Sequence, residues 1–264
     1  MPQDRPLIDS DSPHSARIWN YWLGGKDCYE IDRQVGDAIQ QVNAEIVHVA
    51  RAQRAFLART VSHLVRDVGI DQFLDIGTGL PTIDNTHDVA QRHDPTARIV
   101  YVDHDPVVLR HAEALLTSTP QGVTDYIEAD LTDPADILRQ AGDTLDFTRP
   151  IALMLLGVVA HVTDDRAYAI VEELKSALPS GSHLVLCDST EVYHPEATRA
   201  MVEQWNSTSD NPRTNRTPEQ IGRFFEGLEL VEPGLTSVSQ WRPEVEGDEL
   251  PDPVSSFGGI GRKA

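Results

Sequence analysis

Phe73-Leu-Asp-Ile-Gly-Thr-Gly-Leu-Pro-Thr82 decides the fold of this chain. An apolar run ends in an acid, turns through Gly77 and Gly79, and leads towards residues with helical spacing. Ile99-Val-Tyr-Val-Asp103 then repeats the apolar run and its closing acid. Strand, glycine turn, helix and second strand present two carboxyl ends to one crevice, where parallel α/β sheets bind adenosine-containing ligands.

The same rhythm extends in both directions. Apolar runs at 72–76, 98–102, 123–128, 150–156 and 183–188 alternate with helical spacing near 84–93, 106–117, 134–141 and 164–178. That alternation predicts a parallel sheet with helices on both faces. A helix follows at 195–206, then a polar loop over 207–216. Thr217-Pro218-Glu219-Gln220 opens another helix, with Thr as cap, Pro first and Gln three on. Leu228–Val231 and Ser255–Arg262 read as closing strands, separated by a Pro233-Gly234 turn and the acidic loop 244–252. Upstream, helical spacing covers 31–49 and 51–68, with Gly69 as the stop. The first dozen residues are polar and read as loose.

Composition narrows the class. The 264 residues are 40% hydrophobic and 24% charged, which suits one α/β domain with additions. No apolar run approaches the ~20 residues of a membrane span, and Met1-Pro-Gln-Asp-Arg5 lacks a signal-peptide pattern. Cys28 and Cys187 have no metal-type spacing and read as free thiols, so a cytoplasmic location is expected. The histidines form no ligand cluster, so no metal site is expected. A net charge of -20 repels phosphate backbones, which argues against nucleic acid and favours a small-molecule partner. Oligomeric state is not legible.

The first loop chooses between cofactors. Gly77 and Gly79 let the backbone turn tightly beside a ligand, with Thr78 between them. A dinucleotide fold next wants a third glycine for close helix packing; Thr82 stands there, and Pro81 removes an N–H. Asp75 adds negative charge where a pyrophosphate would sit. An acid there suits a cationic ligand such as S-adenosylmethionine, with a solvated strand-end acid as the plainer reading. Asp103 ends the second strand, where a carboxylate accepts from ribose hydroxyls. His104 either flanks the adenine or is merely exposed, and Asp105 reads as a helix cap. Asp130 ends the third strand, either accepting from the adenine amino group or opening the helix before Pro134. Leu131 would add its backbone N–H and apolar bulk.

Asp75-Ile-Gly-Thr-Gly79, Asp103 and Ala129-Asp130-Leu131, at successive strand ends, resemble class I S-adenosylmethionine-dependent methyltransferases. Leu178-Pro-Ser-Gly181 resembles the P-x-G turn of that superfamily. More narrowly, the chain resembles the actinobacterial S-adenosyl methyltransferase family, formerly a domain of unknown function. Ala16-Arg-Ile-Trp-Asn-Tyr-Trp-Leu-Gly-Gly-Lys-Asp27, Arg51-Ala-Gln-Arg-Ala-Phe-Leu57 and Phe224–Gly234 carry this likeness. It implies a Rossmann-like, mostly parallel seven-stranded sheet with the last strand antiparallel. Residues 1–70 would form a helical extension and lid, and 71–264 the cofactor-binding core of one compact unit. By similarity to leucine carboxyl methyltransferases, Arg54 would pair with the methionine carboxylate, a solvent-facing helix cation being the alternative. Tyr21 and Lys26 would lie on the lid, while Trp19 and Trp22 read foremost as a packed amphipathic face.

Methyl transfer requires alignment, exclusion of water and sometimes removal of a proton. After the fourth strand, Gly157 would leave room for the methyl-bearing end of the cofactor. His161 is the candidate general base, with a packing or capping histidine as the competing reading. No (Asp/Asn)-Pro-Pro-(Tyr/Phe) motif follows that strand, so an O- or N-methylated small molecule remains by exclusion. The 189–216 region and Trp241 are expected in the pocket wall. Two further functions stay open: an NAD(P)-dependent oxidoreductase, and a non-catalytic cofactor-binding regulator.

Overall fold

A computed structural model describes residues 12–105, 108, 110, 117–209, 211–244 and 249–264. The expected helix over 106–117, the loose first dozen and the loop 244–252 fall wholly or partly outside these residues. Three helices precede the sheet: α1 (Ser15–Trp22), α2 (Glu30–Val42) and α3 (Ile46–His63), the last continued by a π turn over Leu64–Val68. Gly69 ends it in the left-handed conformation, at φ 83°. The helical stretch breaks at 43–45, not at residue 50 as the spacing predicts. Asn43 is the reason: its side chain accepts the Glu45 N–H, an Asx-type turn that competes with helix.

The sheet then follows the predicted alternation. It comprises β1 (Gln72–Ile76), β2 (Arg98–Asp103), β3 (Val123–Glu128), β4 (Ala152–Leu156) and β5 (His183–Ser189), all parallel. The intervening helices are α4 (Thr86–His93), α5 (Pro134–Ala141) and α6 (Asp164–Ala177), and α7 (Pro195–Thr208) and α8 (Pro218–Gly222) follow β5. Strand order is β3-β2-β1-β4-β5-β8-β6, where β6 is Glu229–Leu230 and β8 is Ser256–Arg262. An eighth strand, β7 (Thr236–Ser237), also pairs with β8; two residues are too few to leave a pattern in sequence. The last strand β8 runs antiparallel to β5. Chain order reverses between β1 and β4, the point at which such sheets open a crevice beyond their carboxyl ends.

Period-two alternation divides the core. Phe73, Ile99, Tyr101, Met154 and Val185 face α3 and α4 and pack with Phe56, Val61 and Val89. Leu74, Val100, Leu153 and Leu184 face the other way, against Ile137, Ile170 and Leu174 of α5 and α6. A third cluster joins α1, α2 and α3 to α7 through Ile18, Trp22, Ile39, Ile46 and Trp205. Thus α3 belongs both to the helical extension and to the sheet's own core. Its close approach depends on Gly258 of β8. A Cβ there would lie 2.6 Å from Cys187 Cβ and 3.1 Å from the Phe56 ring.

Candidate active site

The crevice at the strand ends is roofed by two helix stripes. Ala50, Gln53, Arg54 and Leu57 of α3 recur at the spacing of one helical face, as do Ala16, Trp19, Asn20 and Leu23 at α1. Opposite them lie Asp75, Gly77, Thr78 and Gly79 after β1, with Asp103 and His104 after β2. Asp130 and Leu131 follow β3, and Gly157 and His161 follow β4. One pocket therefore gathers eleven of the fourteen residues the sequence singles out, each at or beside a strand end or on α3.

Asp75 is buried and, among the described residues, accepts one hydrogen bond, from Thr86 Oγ1 at 2.6 Å. Burial raises its pKa to about 6, although Thr86 and Arg54 pull the other way. Arg54 does not close on it. Its Nε donates to the Ile83 carbonyl at 2.9 Å and its Nη2 to Asn85 Oδ1 at 3.0 Å. Gly77 and Gly79 both take positive φ, 74° and 65°. At Gly77 a Cβ would strike Val158 at 2.4 Å, whereas at Gly79 the nearest atom is Ala16 Cβ at 3.9 Å. The first glycine lets the β1 and β4 loops pass each other, and the second leaves the backbone open to the pocket.

Asp103 is held from two sides, by the Gly79 N–H on Oδ2 and the Asp105 N–H on Oδ1, each at 3.0 Å. Burial raises its pKa. Each oxygen keeps a lone pair for a further donor. Asp105 meets His14 Nε2 at 3.2 Å, and His14 Nδ1 accepts the Ala16 N–H at the start of α1. The imidazole proton therefore sits on Nε2, and the first turn of α1 is tied to the end of β2. On its other side α1 is anchored by Arg17 Nε on buried Asp32 at 2.7 Å.

His161 closes a single 3₁₀ turn after β4 and donates Nδ1–H to the Pro212 carbonyl at 3.2 Å. The lone pair is then on Nε2. Burial, and then the charge of Arg213, lower its pKa to about 4, so the ring is neutral at physiological pH. Beside it β5 ends in a second buried acid, Asp188. Arg216 Nη1 reaches its Oδ2 at 2.7 Å and also donates to the Val159 carbonyl. Arg216 Nη2 meets the Val162 carbonyl, and Nε meets Asp164.

The sequence profile of the S-adenosyl methyltransferase family matches residues 1–264. The chain belongs to this family. A duf574-family protein from Streptomyces avermitilis is 42% identical, with 98% of this chain and 100% of that one covered and a TM-score of 0.91. A candidate methyltransferase from Thermobifida fusca is 37% identical over 99% of both chains, with a TM-score of 0.88. At 11% identity, the plantazolicin methyltransferase shares the fold, with a TM-score of 0.52 over 94% of this chain and 96% of its own. A search of curated proteins gives no match. The fold is that of class I methyltransferases and the chain is a methyltransferase, a family assignment that implies S-adenosylmethionine as donor. It also displaces the oxidoreductase reading.

The donor set agrees with that cofactor. Acids at three successive strand ends fit hydroxyls, an amine and a cation. Three expected contacts lie elsewhere. Tyr21 points off the far side of α1, where its hydroxyl donates to Asp37 at 2.6 Å, because it falls between the 16-19-20-23 positions that face the crevice. Lys26 is exposed beyond the end of α1 and does not line the pocket. Pro81 lines a small neighbouring recess with Asn85 and Thr86 instead. Trp241 is fully buried against Phe56, in the core and not in the pocket wall.

The helix-opening acid is Asp133, whose side chain caps Asp136, which leaves Asp130 at the pocket with one oxygen on the Thr132 N–H. His104 is exposed at the rim. Residues the sequence did not single out as site groups include His14, Asn20, Gln53 and Asn211. Only the family-like segments 16–27 and 51–57 hinted at any of them.

Proposed function

We propose that the chain transfers a methyl group from S-adenosylmethionine to oxygen or nitrogen of a small molecule, with both bound beneath α1 and α3. Asp103 takes the ribose hydroxyls. Asp130 and the Leu131 backbone take the adenine edge, with His104 at the rim. Gly77, Thr78 and Gly79 bring the backbone close, and Gly157 leaves space at the reacting end. Asp75 meets the positive charge. Arg54 spends Nε and one Nη2 N–H on Ile83 and Asn85, and among the described residues its Nη1 N–H groups and second Nη2 N–H are left to meet a carboxylate. When bound, the cofactor supplies a methyl group on a sulfonium, whose departure leaves a neutral thioether. The protein's own task is to orient the acceptor and exclude water.

The single observation that carries this reading is Asp75: a buried acid with one hydroxyl partner among the described residues, in the pocket at the strand ends. Titration calorimetry with S-adenosylmethionine, S-adenosylhomocysteine and NAD tests it. Binding of the first two is expected, and tight NAD binding in their place would overturn it. Asp103→Ala should weaken cofactor binding by ~1–3 kcal/mol, the loss of charge-assisted hydrogen bonds. An unchanged dissociation constant would remove Asp103 from the ribose site.

A further inference from the structure

The pocket has a second end of different character. Trp19 and Leu23 of α1, His161 and Val162 after β4, and Asn211 line it. A run of aromatic contacts fixes its shape. Ring centroids are 5.5 Å apart from Trp19 to Trp22, 6.5 Å from Trp22 to Trp205 and 6.0 Å from Trp205 to His161. Trp205 Nε1 donates to the Asn211 carbonyl at 2.9 Å, which ties the loop after α7 to the same wall. The charged side chains lining the pocket among the described residues are Arg54, Asp75, Asp103 and Asp130, all in the strand-end half. Arg213 stays behind Trp205, 5.4 Å from its ring, with Nη2 on Ser189 Oγ.

We infer that this end holds an uncharged aromatic acceptor whose nucleophile is a hydroxyl, with its O–H donated to His161 Nε2. The inference rests on the methyl-transfer reading above. An ion brought to this end would lose its hydration and find no opposite charge in the wall. The field of Arg213, which already helps keep the imidazole neutral, would further repel a cation, while an anion would meet that guanidinium only across the Trp205 ring and without contact. An uncharged ring instead gains contact with Trp19, Leu23 and Val162, and its hydroxyl meets a lone pair whose direction is set by the Nδ1 bond to Pro212.

The same histidine limits the chemistry. A ring with a pKa of about 4 is a poor base towards a free hydroxyl. It suffices for a proton that leaves as the carbon–oxygen bond forms, because methylation makes the oxygen far more acidic. The acceptor oxygen bonds to the methyl carbon, the carbon–sulfur bond breaks with its electron pair left on sulfur, and the hydroxyl proton passes to Nε2 and on to water. An alkylammonium acceptor would need its proton removed first, by a base this end does not contain.

Calorimetry on protein saturated with S-adenosylhomocysteine tests the inference with three probes of one ring size: 2-naphthol, 2-naphthoate and 2-naphthylmethylammonium. Naphthol should bind at least about tenfold more tightly than either ion, the direction set by unpaired charge burial. His161→Phe should weaken naphthol about fivefold, the worth of one hydrogen bond, and His161→Gln, which keeps an acceptor oxygen, should recover it. An ion that binds as well as naphthol, absence of naphthol binding, or equal loss in both variants would overturn the inference. Failure of S-adenosylhomocysteine to bind the unaltered protein would instead strike the cofactor reading.

Discussion

Asp75 and Asp188 are the same residue type, both buried and both at the carboxyl end of a parallel strand. The protein treats them in opposite ways. Asp188 is completed from within by Arg216, whose other N–H groups are spent on two carbonyls and Asp164. Asp75 has a single hydroxyl, and the nearby Arg54 is turned to Ile83 and Asn85. A buried charge is costly unless paired, so the complete pair is architecture and the incomplete one is where the proposed reading puts the cofactor's positive charge.

The contrast can be broken from either side. The largest effect should come from Arg216→Met, which strands Asp188: a loss of ~3–5 kcal/mol in unfolding free energy is expected. Urea denaturation reads it directly, and a loss below ~1 kcal/mol would mean the pair is not structural.

Asp75→Asn should act in the reverse direction. The folded pKa of about 6 lies above the ordinary 3.8. The group's contribution to stability is therefore fully present below pH 3.8 and lost as pH rises through 6. Removing the charge should stabilise the ligand-free protein by up to about 3 kcal/mol at pH 8, and by almost nothing at pH 4. The same variant should lose cofactor binding. In the unaltered protein, affinity for the sulfonium cofactor should fall by up to about tenfold per pH unit below 6, as protons compete for the carboxylate. A flat affinity profile from pH 5 to 8 would count against the contact. Smallest of all, Lys26→Ala should change cofactor affinity by less than ~0.5 kcal/mol, as befits an exposed side chain outside the pocket. A tenfold loss would restore Lys26 to the lid.

The difference between the two acids also marks what was legible in the sequence. Asp75, Asp103 and Asp130 could be read because each lies at or just past the end of a strand, and strand ends share one edge of a parallel sheet. Five strands and the helices α4, α5 and α6 were legible for the same reason. Asp188 ends an apolar run as well, yet its partner Arg216 is 28 residues on, in a loop whose path no local pattern describes. Tyr21 lies off the pocket because α1 turns another face to it, and Lys26 because it falls beyond the helix end. Residue spacing reveals a stripe, but which neighbour claims it is decided by tertiary packing. Gln53 sits in a family-like segment but was not singled out, for a similar cause: it is tied to Ser256 Oγ, 203 positions away, across the sheet.

Gly258 extends that dependence to the size of the cavity. Phe56 rests on β8 where the glycine has no side chain, and Gln53, Arg54 and Leu57 roof the pocket from the same helix. Any larger residue at 258 must push against Cys187 and Phe56, both in a packed core with no slack. The helix would ride higher, and the ceiling above the ligands would rise with it. The headroom of the pocket is thus set by a residue that does not line it, on the far closing strand of the chain.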